Sequence, residues 1–267
     1  MSENAPIKGI IFDMDDTLID WSNVQDGWHD IERAHLQRVL DHARTASTPL
    51  DTTLETFVDA FRENMMQAWS VGRETLRAPH TGKVLIETMQ TFGFRESETC
   101  NQATCLQSYG WRGVDGVVAF PDVGPALAKM YAQGYKIGLM TNASQPMAMR
   151  LPELEAKGLA RYFPDESMLF SAADIGYLKP HPRAFLTVVD AIGTRPEETI
   201  YVGDNPVADI AGAQGAGLRG VLRVNQGVPA MISGVIVPDA AINDFDDLLR
   251  LLADWDAYTH DALASDS

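Results

Sequence analysis

The sequence predicts a doubly wound α/β core that carries an all-helical insertion, and three observations predict it. Five short apolar runs, at residues 7–12, 135–140, 168–170, 199–202 and 220–224, show little internal alternation, as strands buried on both faces do. Helical patterns separate the last four runs, which gives the strand–helix–strand alternation of a parallel sheet. Between the first run and the second lies a stretch of over a hundred residues, far longer than one crossover needs, and its pattern is helical.

Taken in order, the first run ends in Asp13-Met14-Asp15-Asp16-Thr17-Leu18. Two carboxylates two residues apart, at the partly desolvated end of a buried strand, repel each other and are costly to assemble. A divalent cation with a reaction at its side is the usual reason for keeping such a pair. From Ser22 to Gly110 the chain reads as helix. Ser22 with Gln25, and Thr52 with Glu55, have capping-box spacing. Leu54, Phe57, Val58, Phe61, Met65 and Trp69 form one apolar stripe. Val84, Leu85, Thr88, Met89 and Phe92 form another, which Gly93 stops. A fourth short helix carries Cys100 and Leu106. The expectation is an insert of about four helices over residues 20–118, with the core in residues 1–19 and 119–267.

After the insert, Asp122 is placed to cap a helix that carries Leu127, Met130 and Tyr131 and closes at Gly134. The stretch 144–157 follows Thr141 and stops at Gly158. Pro152 inside it predicts two helical pieces. Helices over 182–192 and 209–216 complete the core. The tail from Tyr258 is polar, and a frayed end is expected there.

Composition narrows the function. Of 267 residues, 45% are hydrophobic, ample for a core. A formal net charge of −16 argues against nucleic acid or an anionic membrane as main partner, since both need basic surface. It leaves open an anionic small substrate at a site with its own cation. Cys100 and Cys105 have no His or Cys nearby to complete a zinc set and read as reduced thiols on one helix. His35 and His42 share a helix face but stand too far apart to bind metal by themselves. The first residues lack a signal-peptide pattern, and no apolar run nears the roughly 20 residues that cross a bilayer. A soluble, cytoplasmic protein is expected.

Four clusters fall at predicted strand ends or helix starts: Asp13-x-Asp15-x-Thr17, Thr141-Asn142, Lys179-Pro180, and Gly203-Asp204-Asn205-Pro206-Val207-Ala208-Asp209. In a parallel sheet the carboxyl ends of the strands share one edge, so the strand-end clusters converge there. Carboxylates with a lysine, a hydroxyl and an amide suit a hard cation and a phosphoryl group.

In this order and spacing the four clusters resemble the haloacid dehalogenase superfamily, and the helical insert resembles its first type of cap domain. The resemblance covers the core and implies a Rossmann-like fold. It implies Asp13 as a nucleophile that forms an aspartyl phosphate, with Asp15 protonating the leaving oxygen and later activating water. It implies phosphate binding by Thr141, Asn142 and Lys179. It implies Mg²⁺ held by Asp13, Asp204 and the backbone carbonyl of Asp15, with Asp209 and Thr17 in support. Position 15 separates reactions, because a leaving halide needs no proton and the superfamily's dehalogenases have no acid there. The expected activity is Mg²⁺-dependent hydrolysis of a small phosphorylated metabolite. A phosphomutase and a non-catalytic binding protein on the same fold are the alternatives. The cap would select the substrate, and Trp21, Trp69, Arg73, Arg77, His80 and Lys83 are placed to line its pocket. Against this, Trp69 continues an apolar stripe, and the basic residues read equally as solvated surface.

Overall fold

The computed structural model describes residues 5–24, 28–46, 50–224 and 236–265. β1 (Gly9–Phe12) lies between β4 (Lys136–Thr141) and β6 (Thr199–Gly203), with Phe12 in register with Leu139 on one side and Val202 on the other. β5 (Leu169–Ser171) flanks β4; β7 (Arg219–Arg223) and β8 (Ala240–Ile242) continue beyond β6. The order is β5-β4-β1-β6-β7-β8, and every neighbouring pair is parallel. This register places Asp13, Thr141 and Asp204 on one edge.

The pleat explains why the strands read as continuous apolar runs. Successive side chains face opposite sides. Ile10, Phe12, Leu139 and Val202 enter one apolar cluster, and Ile11, Met140 and Tyr201 enter the other. The first cluster is covered by α5 (Val123–Ala132) and α10 (Phe245–Ser265), the second by α8 (Pro182–Ile192). α8 is well bounded: the His181 side chain accepts from the Arg183 N–H, Pro182 opens the first turn, and Gly193 ends the helix in the left-handed region. It lies close on β4, where a Cβ at Gly138 would stand 2.6 Å from Val188.

β2 (Ile19–Asp20) and β3 (Val118–Ala119) form an antiparallel ribbon. Between them run α1 (Trp28–Ala46), α2 (Leu54–Thr75), α3 (Thr81–Gln90) and α4 (Gln102–Tyr109), the four α-helices of this stretch among the described residues. The stripe on α2 buries Phe57, Val58 and Phe61. Its far end turns toward the core, where Trp69 packs against the cluster that holds Leu178 and Phe185. Backbone bonds Leu178 N–H to Leu76 O and Ala78 N–H to Gly176 O join the two parts, as do Thr81 N–H to Ser144 O and Thr81 Oγ1 to Ser144 Oγ.

Several local expectations need correction. Thr53, not Thr52, caps α2, its hydroxyl accepting from the Thr56 N–H. Ser22 sits in a turn ahead of α1, and Gln25 lies outside the described residues. Asp122 precedes α5 but makes no cap bond with its side chain, because its carboxylate accepts from the Phe245 N–H at 2.7 Å and so ties the start of α10 to the core. α6 (Met147–Ala156) is one helix that passes through Pro152. The proline removes one bond in mid-helix, while buried Arg150, Glu153 and Leu154 anchor both sides of it. The predicted helix 209–216 is a π-helical turn, Pro206–Ala211, followed by α9 (Gly212–Gly215). A short α7 (Ala172–Ile175) follows β5. Cys100 precedes α4; its sulfur lies 3.9 Å from that of Cys105, both buried and free. α10 continues to Ser265, so the tail is helical where fraying was expected. Phe245, Leu248 and Leu252 bury its inner face. Among the described residues, no helix is long and apolar enough to cross a membrane.

Candidate active site

The carboxyl edge of the sheet gathers its charges around Lys179. Asp13 leaves β1 with its N–H on Val202 O at 2.9 Å, and its carboxylate lies 2.8 Å from Lys179 Nζ. On the other side, Nζ is 2.7 Å from Asp209. It also donates to Tyr201 Oη at 2.7 Å, and that hydroxyl donates to Met140 O at 2.7 Å. The lysine side chain is 2% exposed. Its backbone is clamped by one amide: Lys179 N–H donates to Asn142 Oδ1 at 2.7 Å, and Asn142 Nδ2 donates to Lys179 O at 3.1 Å. The side chain of Asn142, expected at the phosphate, is thus committed to holding Lys179. The Lys179–Pro180 peptide is cis.

The turn after β6 folds Asp209 back onto the edge. Asn205 accepts from the Val207 and Ala208 N–H groups, and Asp209 accepts from the Asn205 N–H at 2.9 Å. A side chain at Gly203 would collide with the Asp209 carboxylate, so the approach needs glycine. Asp13, Asp204 and Asp209 then each offer an oxygen within 4.8 Å of the others. Thr17 is fully buried; its carbonyl accepts from Arg223 Nη1 at 2.7 Å, and its hydroxyl has no hydrogen-bond partner among the described residues.

Burial, with repulsion from Asp209 and Asp15, pushes the Asp13 carboxyl well up despite the adjacent lysine. Burial and the nearby Asp209 and Asp16 push Asp204 up to about 6. Burial opposes the charge on Lys179, yet Asp13 and Asp209 together hold its pKa above the ordinary lysine value. A single lysine does not balance these carboxylates. An oxygen-only donor set with surplus negative charge fits a hard divalent cation.

Asp15 faces a different set of groups. Its Oδ1 accepts from Trp21 Nε1 at 2.9 Å and from Arg150 Nη2 at 2.6 Å, and its Oδ2 accepts from Thr141 Oγ1 at 3.2 Å. Among the described residues, Asp15 is not part of the Asp13–Asp204–Asp209 group. Arg150 and Tyr201 escape a reading by local motif. Tyr201 is hidden inside an apolar strand, and Arg150 sits on a helix far along the chain from the acid it touches.

A cavity of about 490 Å³ lies between the helices of the insert and the loop after β4, lined by Phe61, Met65, Trp69, Arg73, Tyr109 and Ser144 among others. None of Asp13, Asp15, Asp204 and Asp209 is among its lining residues; Ser144, three residues beyond Thr141, is. Of the insert residues singled out from the sequence, Trp69 and Arg73 line it. Trp21 instead holds Asp15, and Arg77 lies over the Tyr177 ring at 4.2 Å to the centroid. His80 caps α3 by accepting from the Gly82 N–H, and Lys83 is exposed.

Comparison with known proteins places the chain in a family. A family model described as haloacid dehalogenase-like hydrolase matches residues 7–217. A phosphoglycolate phosphatase of Salmonella typhi is 28% identical over 255 residues, 94% of this chain and 95% of the relative. That of Yersinia pseudotuberculosis is 30% identical over 211 residues, 79% of this chain and 78% of the relative. Among solved structures, a 2-haloacid dehalogenase from Pseudomonas syringae pv. Tomato superposes with a TM-score of 0.62 at 28% identity, covering 93% of this chain and 99% of that one. The chain belongs to the haloacid dehalogenase-like hydrolases.

Proposed function

We propose that this hydrolase is a Mg²⁺-dependent phosphatase that cleaves a small phosphorylated metabolite through an aspartyl phosphate on Asp13. One observation carries the reading: Lys179 is wedged between Asp13 and Asp209, with Asp204 alongside, while a separate acid, Asp15, is held two residues from the nucleophile. Asp13 attacks phosphorus, and the bond from phosphorus to the leaving oxygen breaks. Asp15 gives that oxygen its proton, then takes a proton from the water that attacks the phosphorylated Asp13. Lys179 neutralises charge on the phosphoryl oxygens, and the Thr141 hydroxyl, which donates to Asp15 Oδ2 in this structure, orients one of them by turning to the bound phosphate. Asp13 and Asp204, with the Asp15 carbonyl, are the groups that would hold Mg²⁺, and Asp209 supports them from behind Lys179. When bound, Mg²⁺ offsets the repulsion between a phosphate dianion and the carboxylates.

The similarity to a 2-haloacid dehalogenase favours a second reading, displacement of halide by Asp13. Asp15 argues against it, since an acid poised beside the nucleophile serves an alkoxide leaving group and does nothing for a halide. We assign residues 20–118 to a cap and residues 1–19 and 119–267 to the catalytic core, with the cavity at their junction receiving the body of the substrate. The relatives make phosphoglycolate the first substrate to try. The test assays phosphate release from phosphoglycolate and a panel of phosphorylated metabolites, and halide release from 2-haloacids, with and without Mg²⁺. Halide release without phosphate release would overturn the proposal.

A further inference from the structure

Arg150 belongs to none of the family's motif clusters, yet it is among the most enclosed charges in the protein. Its side chain is 4% exposed. Nη2 donates to Asp15 Oδ1 at 2.6 Å and lies 3.2 Å from Met14 Sδ. Nε lies 3.1 Å from Glu153 Oε2, on a carboxylate with no exposure at all. Glu153 in turn accepts from Trp111 Nε1 at 2.8 Å. Gly113, at φ +92°, closes over the same carboxylate, where a Cβ would stand 2.9 Å from Oε1. Trp21 follows β2, on the outgoing connection to the insert, and Trp111 precedes β3, on the returning one. Both connections therefore end on one network whose terminus is the Asp15 carboxylate.

A buried ion pair is rarely kept for stability alone, because desolvating both charges offsets most of their attraction. Here the arginine reaches an acid whose other oxygen is held by Thr141 and whose position sets whether it can meet a leaving group. We propose that Arg150 is a positioning residue for Asp15, aligned from behind by Glu153 and Trp111. The proposal rests on reading Asp15 as the acid. Arg150 fixes the rotamer of Asp15 and places one oxygen toward the substrate, and it takes no proton itself. Without it, the carboxylate keeps its Trp21 and Thr141 contacts but loses the shortest of its three restraints.

The test uses kcat/KM, which reports steps up to departure of the leaving group and not the later hydrolysis of the phosphoenzyme. Two esters are compared: an alkyl phosphate, whose alkoxide must be protonated, and an aryl phosphate with an acidic phenol, which leaves unaided. Correct general-acid placement contributes on the order of 10²-fold or more to the first. Arg150→Met is expected to lower kcat/KM for the alkyl ester by about 10- to 100-fold and for the aryl ester by less than about 3-fold. Arg150→Lys should restore part of the alkyl rate, and Trp111→Phe should give a smaller loss with the same bias. Because Arg150→Met strands the Glu153 carboxylate, Arg150→Met/Glu153→Gln is made in parallel to neutralise the buried pair together, with melting temperatures for each. Equal losses on both esters in the stably folded double variant would overturn the proposal and leave Arg150 a structural residue. Asp15→Asn is the control. If it shows the leaving-group bias and the Arg150 variants do not, positioning fails while the acid stands. If it shows none, the acid reading fails and takes the proposal with it.

Discussion

The carboxyl edge of the sheet and the helices of the insert use the same charged side chains to opposite ends. At the edge, Lys179 and Asp13 pair with their side chains 2% and 11% exposed; in the insert, Arg33 and Glu55 pair with theirs 48% and 66% exposed. The insert pair sits in water, where such contacts contribute little. The edge pair is desolvated, and the carboxylates around it, Asp13 and Asp204, are displaced from their ordinary pKa values. A contact of similar length is thus buried at the sheet edge in one region and lies on a solvated helix face in the other. The insert is held chiefly by apolar stripes, with one better-shielded ion pair, Arg62–Glu32, beside the cavity.

The largest effect that tests this contrast comes from the two partners of the buried pair. Asp13→Asn should abolish turnover, because an amide cannot form the acyl phosphate, yet leave the melting temperature unchanged or raised, since it removes one of several mutually repelling carboxylates. Lys179→Met should also abolish turnover, but should destabilise the fold by about 3 kcal/mol or more, because it strands Asp13 and Asp209 without their cation. Opposite stability effects from two inactive variants would confirm that the site is electrostatically strained. If both variants melted with the parent, the edge would be as solvated as the insert.

Next in size is the metal. Asp204→Ala should lose most Mg²⁺-dependent activity and most of the stabilisation by Mg²⁺. The pH dependence follows from the raised pKa of Asp204. Its value in the fold, about 6, exceeds the ordinary 3.8, so the native state holds the proton more tightly than the unfolded one. The contribution of Asp204 to the stability of the metal-free protein therefore falls as pH rises from about 4 to 6. Protons compete with Mg²⁺ over the same window, so the rise in melting temperature on adding Mg²⁺ should grow as pH increases through 6. A Mg²⁺ response that shrinks with rising pH would contradict the assignment.

Smaller effects are expected in the insert. Trp69→Ala or Arg73→Ala, both at the cavity, should change KM ratios among phosphate esters several-fold while a minimal ester is still hydrolysed at near-normal kcat. Arg33→Ala, which breaks the exposed pair, should change neither the melting temperature nor any rate measurably.

What could be read from the sequence follows the same division. Asp13-x-Asp15, Thr141 and Asp204 were legible because a parallel sheet brings the ends of its strands together by construction, and Lys179, which precedes α8, through the resemblance of its motif. Short local motifs are enough to place them. Arg150 was not legible, because its partner lies 135 residues away and is met only through packing of α6 beneath the insert. Tyr201 was read as one more apolar residue in a strand, although its hydroxyl braces the lysine. In the insert the stripes gave the helices, but the choice between neighbouring Thr52 and Thr53 as cap depended on backbone geometry that no spacing encodes. Asn142 was legible as a residue that shapes the site's hydrogen bonds, but its partner was not, because the Lys179 backbone it holds lies on a loop 37 residues on. α10 went unread because its polar end masked the spacing of Phe245, Leu248 and Leu252.

The central claim is that Asp13 carries the phosphoryl group. The most direct measurement is mass spectrometry of the protein acid-quenched within milliseconds of mixing with Mg²⁺ and a turned-over phosphate ester. The account predicts a mass increase of one phosphoryl group, on the peptide that contains Asp13, absent in Asp13→Asn and prolonged in Asp15→Asn. Rapid phosphate release with no adduct at any time, together with activity retained in Asp13→Asn, would contradict it.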